Sequence, residues 1–511
     1  MCKKINGMPF LWRGVLALCT GFLLVGLSPD ISNAFEFPDL LTERLTLHGF
    51  LQQGVSVNME DPIETDKDDQ FYVSMARSTF YLDANMNFDW LKFTGIMRYD
   101  LEYETDYLDR LNDMSSADIM QELNGLEFRE WYADISAGTR VTLRLGRQQI
   151  IWGNTDFFRA MDIIHGYDHN WRSFLEGENE QLRKPLVMGN LEIQVPELSG
   201  GLQLIVRPGF DEDEDIGNNY DIYGGRWANQ PNKGVNFNDL VKTNLDHTEG
   251  DQEDPTYGVR WSGQIGSVDY SLNYLHTFNN DPVVNPSSSI GGTPYEEDPE
   301  GALGDFIYPQ VDVAGVTFNY YLPKPIDLVL SGEFVYTWDQ PFNYGSDFLG
   351  GALPGFAGIV EKDTVRSMIR FDKNNFGLVE KIFRARRPGF LSIQVFDTWI
   401  MDYDDDDDIV TAGYGANTNE HDTVITAILN WNYDNDYINP GIAWGTSIQN
   451  GGGFVIPNIT FIYGNWQLRF EYDLFYNASG GKDVGEIEDD ATMFDYFDNN
   501  DQFYVRLTYY F

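Results

Sequence analysis

The chain has 511 residues, of which 34 are Lys or Arg and 80 are Asp or Glu, giving a formal net charge of -46 and a pI of about 4.2. No segment supplies the basic face that phosphate neutralisation requires, so nucleic acid drops out as a partner. Aromatic residues reach 15% while mean hydropathy is -0.36, and past the N-terminus no apolar run approaches the ~20 residues of a spanning helix. This excludes a helical membrane bundle and fits strands that face lipid on one side and water on the other.

Lys3, Lys4 and Arg13 precede the apolar stretch from Gly14 to Leu27, and Ser32-Asn33-Ala34 places small residues where a signal peptidase reads. Residues 1–34 are therefore expected to be a secretory signal peptide, cut before Phe35. Its apolar run is short for an anchor helix. Cys2 and Cys19 both lie inside it, and Leu18 is too bulky for a lipoprotein box at Cys19. A chain beginning at Phe35 has no cysteine, which removes disulfides, thiolate metal sites and haem attachment through Cys-x-x-Cys-His.

Residues 35–511 read as one all-β domain. Leu91, Phe93, Gly95, Met97, Tyr99 and Leu101 alternate with Lys92, Thr94, Arg98, Asp100 and Glu102. The same contrast returns in Val268, Tyr270, Leu272 and Tyr274, in Leu328, Leu330, Phe334 and Tyr336, and in Trp466, Leu468, Phe470, Tyr472 and Leu474 set against Gln467, Arg469, Glu471 and Asp473. Alternation of this kind means strands whose two faces meet different media. Strands are expected near 45–57, 72–88, 91–104, 126–137, 140–152, 187–196, 201–209, 257–266, 268–278, 308–322, 327–337, 364–373, 390–401, 422–432, 437–447, 454–463, 466–476 and 501–511. That is about 18, with 16 the alternative, and an even count puts both termini in the periplasm. Tight turns (Gly266-Ser267, Pro323-Lys324-Pro325, Gly464-Asn465) alternate with long polar loops (210–256, 279–307, 477–499), the pattern of a transmembrane antiparallel β-barrel with long extracellular loops. The last strand ends on Phe511 and resembles the C-terminal signal that the barrel-assembly machinery reads.

After Gly153 the alternation fails until about residue 187. Phe157, Phe158, Met161, Ile163, Ile164, Trp171 and Phe174 mix there with Arg147, Arg159, Asp162, Asp168, Arg172, Arg183 and Lys184. A barrel of this size has a lumen that side chains alone do not fill, so residues 153–187 are expected to fold inward as a constriction or plug. The competing reading is an external loop with its own small core. In the inward reading, Trp152, Phe157, Phe158 and Trp171 form an apolar pocket, while Arg147, Arg159, Arg183 and Lys184 pair with inward carboxylates. Arg98, Asp100, Glu102, Arg144, Arg469, Glu471 and Arg506 would line the pore and set up a field across it.

The run Gly146-Arg147-Gln148-Gln149-Ile150-Ile151-Trp152-Gly153-Asn154-Thr155-Asp156-Phe157-Phe158-Arg159-Ala160-Met161-Asp162-Ile163-Ile164, followed by Asp168, Trp171 and Leu182-Arg183-Lys184-Pro185-Leu186, resembles the domain-of-unknown-function 1302 family. The resemblance implies an outer-membrane β-barrel of a Gram-negative bacterium, often encoded beside a companion outer-membrane lipoprotein and an inner-membrane exporter of the resistance-nodulation-division type. The chain departs from the pattern at Asn154, where the family has Glu, and at His165-Gly166, where it has Asn-Pro.

Other chemistry is thin. His165 and His169 stand four apart beside Asp162 and Asp168, but Gly166 spoils a helical metal face. The acidic runs Asp211 to Asp215 and Asp404 to Asp408 lack the Gly and Glu of an EF-hand and read as solvated loop tips, with loose cation bridges to lipopolysaccharide as a secondary role. Gly-x-Ser-x-Gly is absent. The expectation is therefore a non-enzymatic channel or cargo port for small or apolar molecules, with no cofactor and no metal, contacting outer-membrane lipid and lipopolysaccharide. The alternatives are a component of a multi-protein export or lipid-transfer system, or a sheath for an electron-transfer cytochrome.

Overall fold

A computed structural model of the protein describes residues 44–61, 67–176, 178–211, 215–228, 233–412, 418–449, 451–477 and 494–511. The expected signal peptide, both cysteines and most of the 477–499 loop lie outside the described residues. The wall begins with β1 (Leu45–Asn58), β2 (Val73–Phe88), β3 (Leu91–Glu102), β4 (Gly125–Ala137), β5 (Val141–Gln148), β6 (Leu186–Val195) and β7 (Gly200–Arg207). After β8 (Val241–Thr243), which leaves the wall, it resumes with β9 (Thr256–Ile265) and β10 (Val268–Phe278). Past β11 (Val283–Pro286) and β12 (Gly304–Ile307) come β13 (Gln310–Leu322), β14 (Leu328–Tyr344), β15 (Gly358–Phe376) and β16 (Gly389–Ile400). β17 (His421–Asn430), β18 (Ile438–Ser447), β19 (Gly453–Tyr463), β20 (Trp466–Tyr476) and β21 (Gln502–Tyr510) complete it.

Each wall strand pairs antiparallel with the next, and β21 returns to β1 with Phe50 opposite Tyr510 and Asn58 opposite Gln502. The result is a closed 18-stranded antiparallel barrel, while β8, β11 and β12 form a separate small sheet. Closure abolishes the free edges that an open sheet would present to lipid. Gly49 and Phe511 exchange two backbone hydrogen bonds of 3.1 and 3.0 Å at the seam. A Cβ on Gly49 would stand 2.7 Å from the Phe511 ring, so the terminal aromatic lies over a position that only glycine leaves open.

The outward face is a belt of exposed apolar side chains, among them Phe93, Leu145, Leu272, Val316, Phe334 and Phe371. The inward neighbours Thr94, Arg98, Ser271, Thr317, Glu333 and Thr364 are buried. Apolar outside and polar inside is the arrangement of an outer-membrane barrel. The chain enters and leaves at the end with the tight turns. The opposite end carries the long connections, including 103–124, 149–185, 208–255 and 279–309, and α1 (Asp106–Ser115), capped by the Thr105 hydroxyl, lies in the first of them.

Three strand limits differ from the sequence expectation by four residues or more. β5 stops at Gln148, short of residue 152, after Gly146 adopts φ 131° in a place where any Cβ would meet the Trp131 carbonyl at 2.2 Å. β14 and β15 run on to Tyr344 and back to Gly358, beyond the expected 337 and 364, with a register shift between Thr337 and Gln340. The wall is consequently uneven: β5 and β7 have 8 residues each, whereas β14 has 17 and β15 has 19.

Candidate functional site

The connection from β5 to β6, residues 149–185, contacts inward-facing side chains from strands around the barrel. On β14, Glu333 accepts backbone N–H bonds from both Asn154 and Met161, the latter at 2.9 Å. Gln394 on β16 donates to the Asp156 carboxylate at 2.7 Å, and Arg370 on β15 reaches the Asn154 carbonyl at 2.9 Å. Gln203 on β7 accepts from the Trp152 indole at 2.9 Å. From the other side, Arg98 on β3 donates to the Gln181 carbonyl at 2.9 Å and Arg129 on β4 to those of Glu180 and Arg183. Two inward positions are glycine where the segment comes closest: a Cβ on Gly258 would lie 2.7 Å from the Trp152 ring, and one on Gly315 would overlap the Met161 sulfur.

Packing does the rest. Trp152, Met161, Ile163, Ile164, Phe174 and Leu175 join one buried apolar cluster with wall residues such as Ile205, Leu275, Val313, Val335, Met368 and Phe396, and Phe157 and Phe158 pack against it. Phe158 meets Phe396 edge-on at 5.6 Å between ring centroids, and Phe174 meets Phe475 at 6.1 Å. Phe494 and Phe497, from the connection between β20 and β21, cover the same rings. Barrel interiors are ordinarily polar, so this ring of inward apolar positions is matched to the segment it encloses.

Ion pairs and arginine–indole stacks join the segment to the β20, β21, β2 and β3 stretch of the wall. Arg172 reaches Glu471 at 2.5 Å and Asp473 at 3.2 Å, both on β20, and Arg506 on β21 reaches Glu176 at 3.1 Å. Trp171 lies under the guanidinium groups of Arg77 and Arg98, 4.8 and 5.2 Å from its ring. Burial opposes ionisation of Glu176, but Arg506 and Arg172 outweigh it and hold the carboxyl below its usual range. Breaking one member of such a buried set strands the others without partners.

The residues singled out as pore-lining all sit on inward positions, but all seven are engaged with other groups. Asp100 is held by Arg77 at 2.9 Å and Arg98 at 2.7 Å; Glu102 is held by Arg226 at 2.9 Å. Arg469 bonds Glu471, and Glu471 and Arg506 hold the segment. Arg144, paired with Asp134 at 2.6 Å, lines a vestibule of 650 Å³ at the tight-turn end, together with Lys92, Trp90 and Glu192. A second cavity of 330 Å³ shares Arg144, Asn190 and Glu192 and extends up to Gln149 and Ile151 of the segment.

The four cations expected to meet inward carboxylates divide differently. Arg147 bonds Asp215 of the 208–255 connection at 2.9 Å and lies 3.6 Å from Glu127 on β4. Arg183 pairs with Asp162 at 2.5 Å, inside the segment, and Lys184 donates to Asn219 at 2.8 Å. Arg159 is stacked over the Tyr167 ring. Of the inward carboxylates, Glu127 is approached by Arg147, while Glu471 and Asp473 are met by Arg172, a residue counted in the composition but not singled out. Its sequence signal is the Arg172-to-Glu176 spacing around Phe174, which carries an i,i+4 ion pair of 3.6 Å.

His165 is buried, with Nε2 accepting the Ile150 N–H at 2.9 Å and Nδ1–H donating to the Lys184 carbonyl at 2.9 Å. Both ring nitrogens serve the backbone, and burial beside Arg183 pushes the imidazole down to about 3. His169 stacks on Tyr220 and is likewise pushed down to about 3 by burial. Among the described residues no cluster of three metal-ligating side chains occurs. Asp404 to Asp408 form a capped turn in which Asp407 pairs with Lys362 at 2.5 Å.

Solved bacterial structures resemble the chain over nearly its whole length. The outer membrane channel DcaP of Acinetobacter baumannii is 10% identical with a TM-score of 0.39, over 91% of this chain and 97% of that one. OccAB1 of the same organism is 8% identical, with a TM-score of 0.46 over 95% and 99%. Pseudomonas aeruginosa OccK9 (OpdG) is 10% identical, with a TM-score of 0.47 over 92% and 98%. No curated protein matches the chain. The family model described as "Protein of unknown function (DUF1302)" matches residues 59–511, from the first connection through the closing strand, and the chain belongs to that family.

Proposed function

We propose that the protein is a plugged outer-membrane passage for small apolar molecules, with residues 149–185 as its plug and no chemistry of its own. The observation that carries this reading is the inward apolar ring. Val313, Val335, Met368 and Phe396 point into the lumen and close around Phe157, Phe158 and Phe174. A wall built for ions or sugars would carry polar groups at that height, because desolvating them costs several kcal/mol. Apolar cargo displacing the plug would exchange one apolar contact for another. The charged vestibule beneath Gln149 and Ile151 leaves the plug reachable from the tight-turn end, read as periplasmic, which also suits a partner that shifts it.

The test replaces residues 154–182 by a short Gly-Ser linker and records single-channel currents in planar bilayers. The plug reading expects a nearly silent wild type and a conductance at least severalfold higher in the variant, with the heat-modifiable folded band retained. Equal conductance in a folded variant would place the segment outside the conducting path. Flux of an apolar dye into vesicles, compared with that of a sugar of similar size, then tests the cargo class.

A further inference from the structure

The tight-turn end of the barrel has one long connection, residues 377–388 between β15 and β16. It opens with a single helical turn, Leu378–Ile382, whose Val379 is buried against Gly389. Lys381, Arg384, Arg386 and Arg387 crowd into it against the one acid Glu380, a net +3 in a chain of net charge -46. Four cations are far from the extended basic face that nucleic acid needs, and the acidity of the whole chain conceals them.

The connection is fastened to its neighbour on the rim, the turn between β17 and β18. Phe383 stacks on Trp431 with ring centroids 4.4 Å apart and planes 8° from parallel. The Tyr433 hydroxyl donates to the Phe383 carbonyl at 2.5 Å, and Arg387 pairs with Asp436 at 3.3 Å. On β17 the buried Val424 and Thr426 point inward, so Ile425, Ala427 and Leu429 form the outward row that Trp431 extends. The stack therefore sets the connection at the lipid-facing edge of the rim rather than across the pore mouth.

Its exposed groups are of two kinds. Ile382, Leu378 and Phe383 are 64%, 47% and 40% exposed. Lys381, Arg384 and Arg386 are exposed too, and have no hydrogen bond or ion pair to any described residue. By contrast Arg140, in the turn between β4 and β5, is matched by Glu197 at 2.8 Å. Uncovered apolar side chains and cations without counter-ions, side by side at the end of a lipid-facing wall, are the two halves of an interfacial lipid contact. An acidic protein surface would satisfy the cations but leave Ile382 and Leu378 unexplained.

We infer that residues 378–387 form a binding site for the headgroups of anionic phospholipids in the leaflet at this end. The apolar side chains lie among the upper acyl carbons, and Lys381, Arg384 and Arg386 meet the phosphates. Lipid contact around the rest of the wall is indifferent to headgroup charge, whereas this site selects for it. The inference concerns the rim and stands whether or not the plug gates a passage.

The experiment uses the full-length protein in vesicles of phosphatidylcholine with a minority of phosphatidylglycerol. Two probes are compared, a phosphatidylglycerol and a phosphatidylcholine that each carry a diazirine at the top of an acyl chain, and adducts are mapped by mass spectrometry after irradiation. Across 378–387 the phosphatidylglycerol probe is expected to label about fivefold or more above the phosphatidylcholine probe. At Ile265, exposed on the same rim beside the Gly266-Ser267 turn with no cation in it, the two should label equally. Lys381→Gln, Arg384→Gln and Arg386→Gln together should bring the ratio down to the Ile265 value, while Arg384→Lys with Arg386→Lys should retain it. Salt provides a measurement without mutation, because raising it to about 0.5 M screens exposed charges and should lower the ratio severalfold. Equal labelling by the two probes in the wild type overturns the inference and leaves the cations to an acidic protein partner. A raised ratio that neither salt nor the triple change reduces overturns it as well.

Discussion

The two sides of the plug are held by different balances of contact. Toward β13 to β19 rings and branched chains dominate, with Phe158 on Phe396 and Phe174 on Phe454, beside the hydrogen bonds of Glu333 and Gln394 and the Arg370–Asp156 ion pair. Toward β20, β21, β2 and β3 ion pairs and arginine–indole stacks dominate. The two meet within three residues: Arg172 points to the carboxylates, Phe174 to the rings, and Ser173 between them takes φ 50°, a left-handed conformation that costs a non-glycine residue roughly 1–2 kcal/mol. Apolar packing is tolerant of sliding, because one methyl group replaces another at little loss. Ion pairs between buried groups are not, since each partner has one geometry. The difference suggests that the apolar side supplies adhesion and the charged side fixes register.

The largest expected effects break one side at a time. Arg172→Ala leaves Glu471, Asp473 and Glu176 without their shared cation and should lower the free energy of plug docking by about 3–5 kcal/mol, read as lost hydrogen-exchange protection across 154–182. Phe174→Ala should cost a similar ~3–5 kcal/mol through the cavity it leaves. The comparison is sharpened by a rescue: Arg172→Met combined with Glu471→Gln and Asp473→Asn should regain much of the loss if the charged side serves register. No gain from the triple change would argue that the charges supply net adhesion.

Next in size is Gly258→Ala. The new methyl group meets the Trp152 ring and the Leu275 side chain and should cost ~1–3 kcal/mol by overpacking, with the barrel wall itself intact by circular dichroism.

A smaller, pH-dependent effect concerns the lid over the apolar side. Asp501 accepts the Phe475 N–H at 2.7 Å, and burial, with Glu60 and Asp498 nearby, pushes its carboxyl up to about 7. Asp498 is pushed up to about 6 by burial and by Glu60 and Asp495. Both values stand above the ordinary carboxyl value of about 3.9, so folding favours the protonated forms. Their contribution is fully present below about pH 4 and is lost as pH rises through about 6 to 7. Exchange at Phe494 to Asn500 should therefore quicken between pH 5 and pH 8, and Asp501→Asn should flatten that dependence. A wild-type rate that, after correction for intrinsic exchange, is flat over this range would remove the lid from the argument.

The smallest effect is the control. Arg144→Gln faces the vestibule and should change docking by no more than about 0.5 kcal/mol.

Period-two contrast made the wall legible, down to the number of strands, because lipid and water sort side chains at every second position. It failed where that contrast ends. Gln340 and Asn343 continue β14 beyond the apolar belt, where both faces are polar or covered and nothing alternates. It failed again for the apolar ring: Val335 and Met368 at inward positions look like noise in a strand, and their partners Phe158 and Phe174 lie far away in sequence. The 149–185 segment announced itself by composition, but which cation would meet the wall depended on Ser173 turning Arg172 toward β20, and a backbone turn of that kind leaves no trace in residue spacing.

The plug is made early and seated late. Residues 149–185 follow β5 in the chain, whereas Glu333, Gln394, Glu471 and Arg506 lie on β14, β16, β20 and β21. Its berth is therefore absent until nearly the whole wall has formed, and closure itself joins residues as distant as Phe50 and Tyr510. Contacts of that separation form slowly, and a phenylalanine-rich segment waiting for them is exposed to aggregation. The lumen is thus filled by a guest that must be kept from sticking elsewhere during assembly.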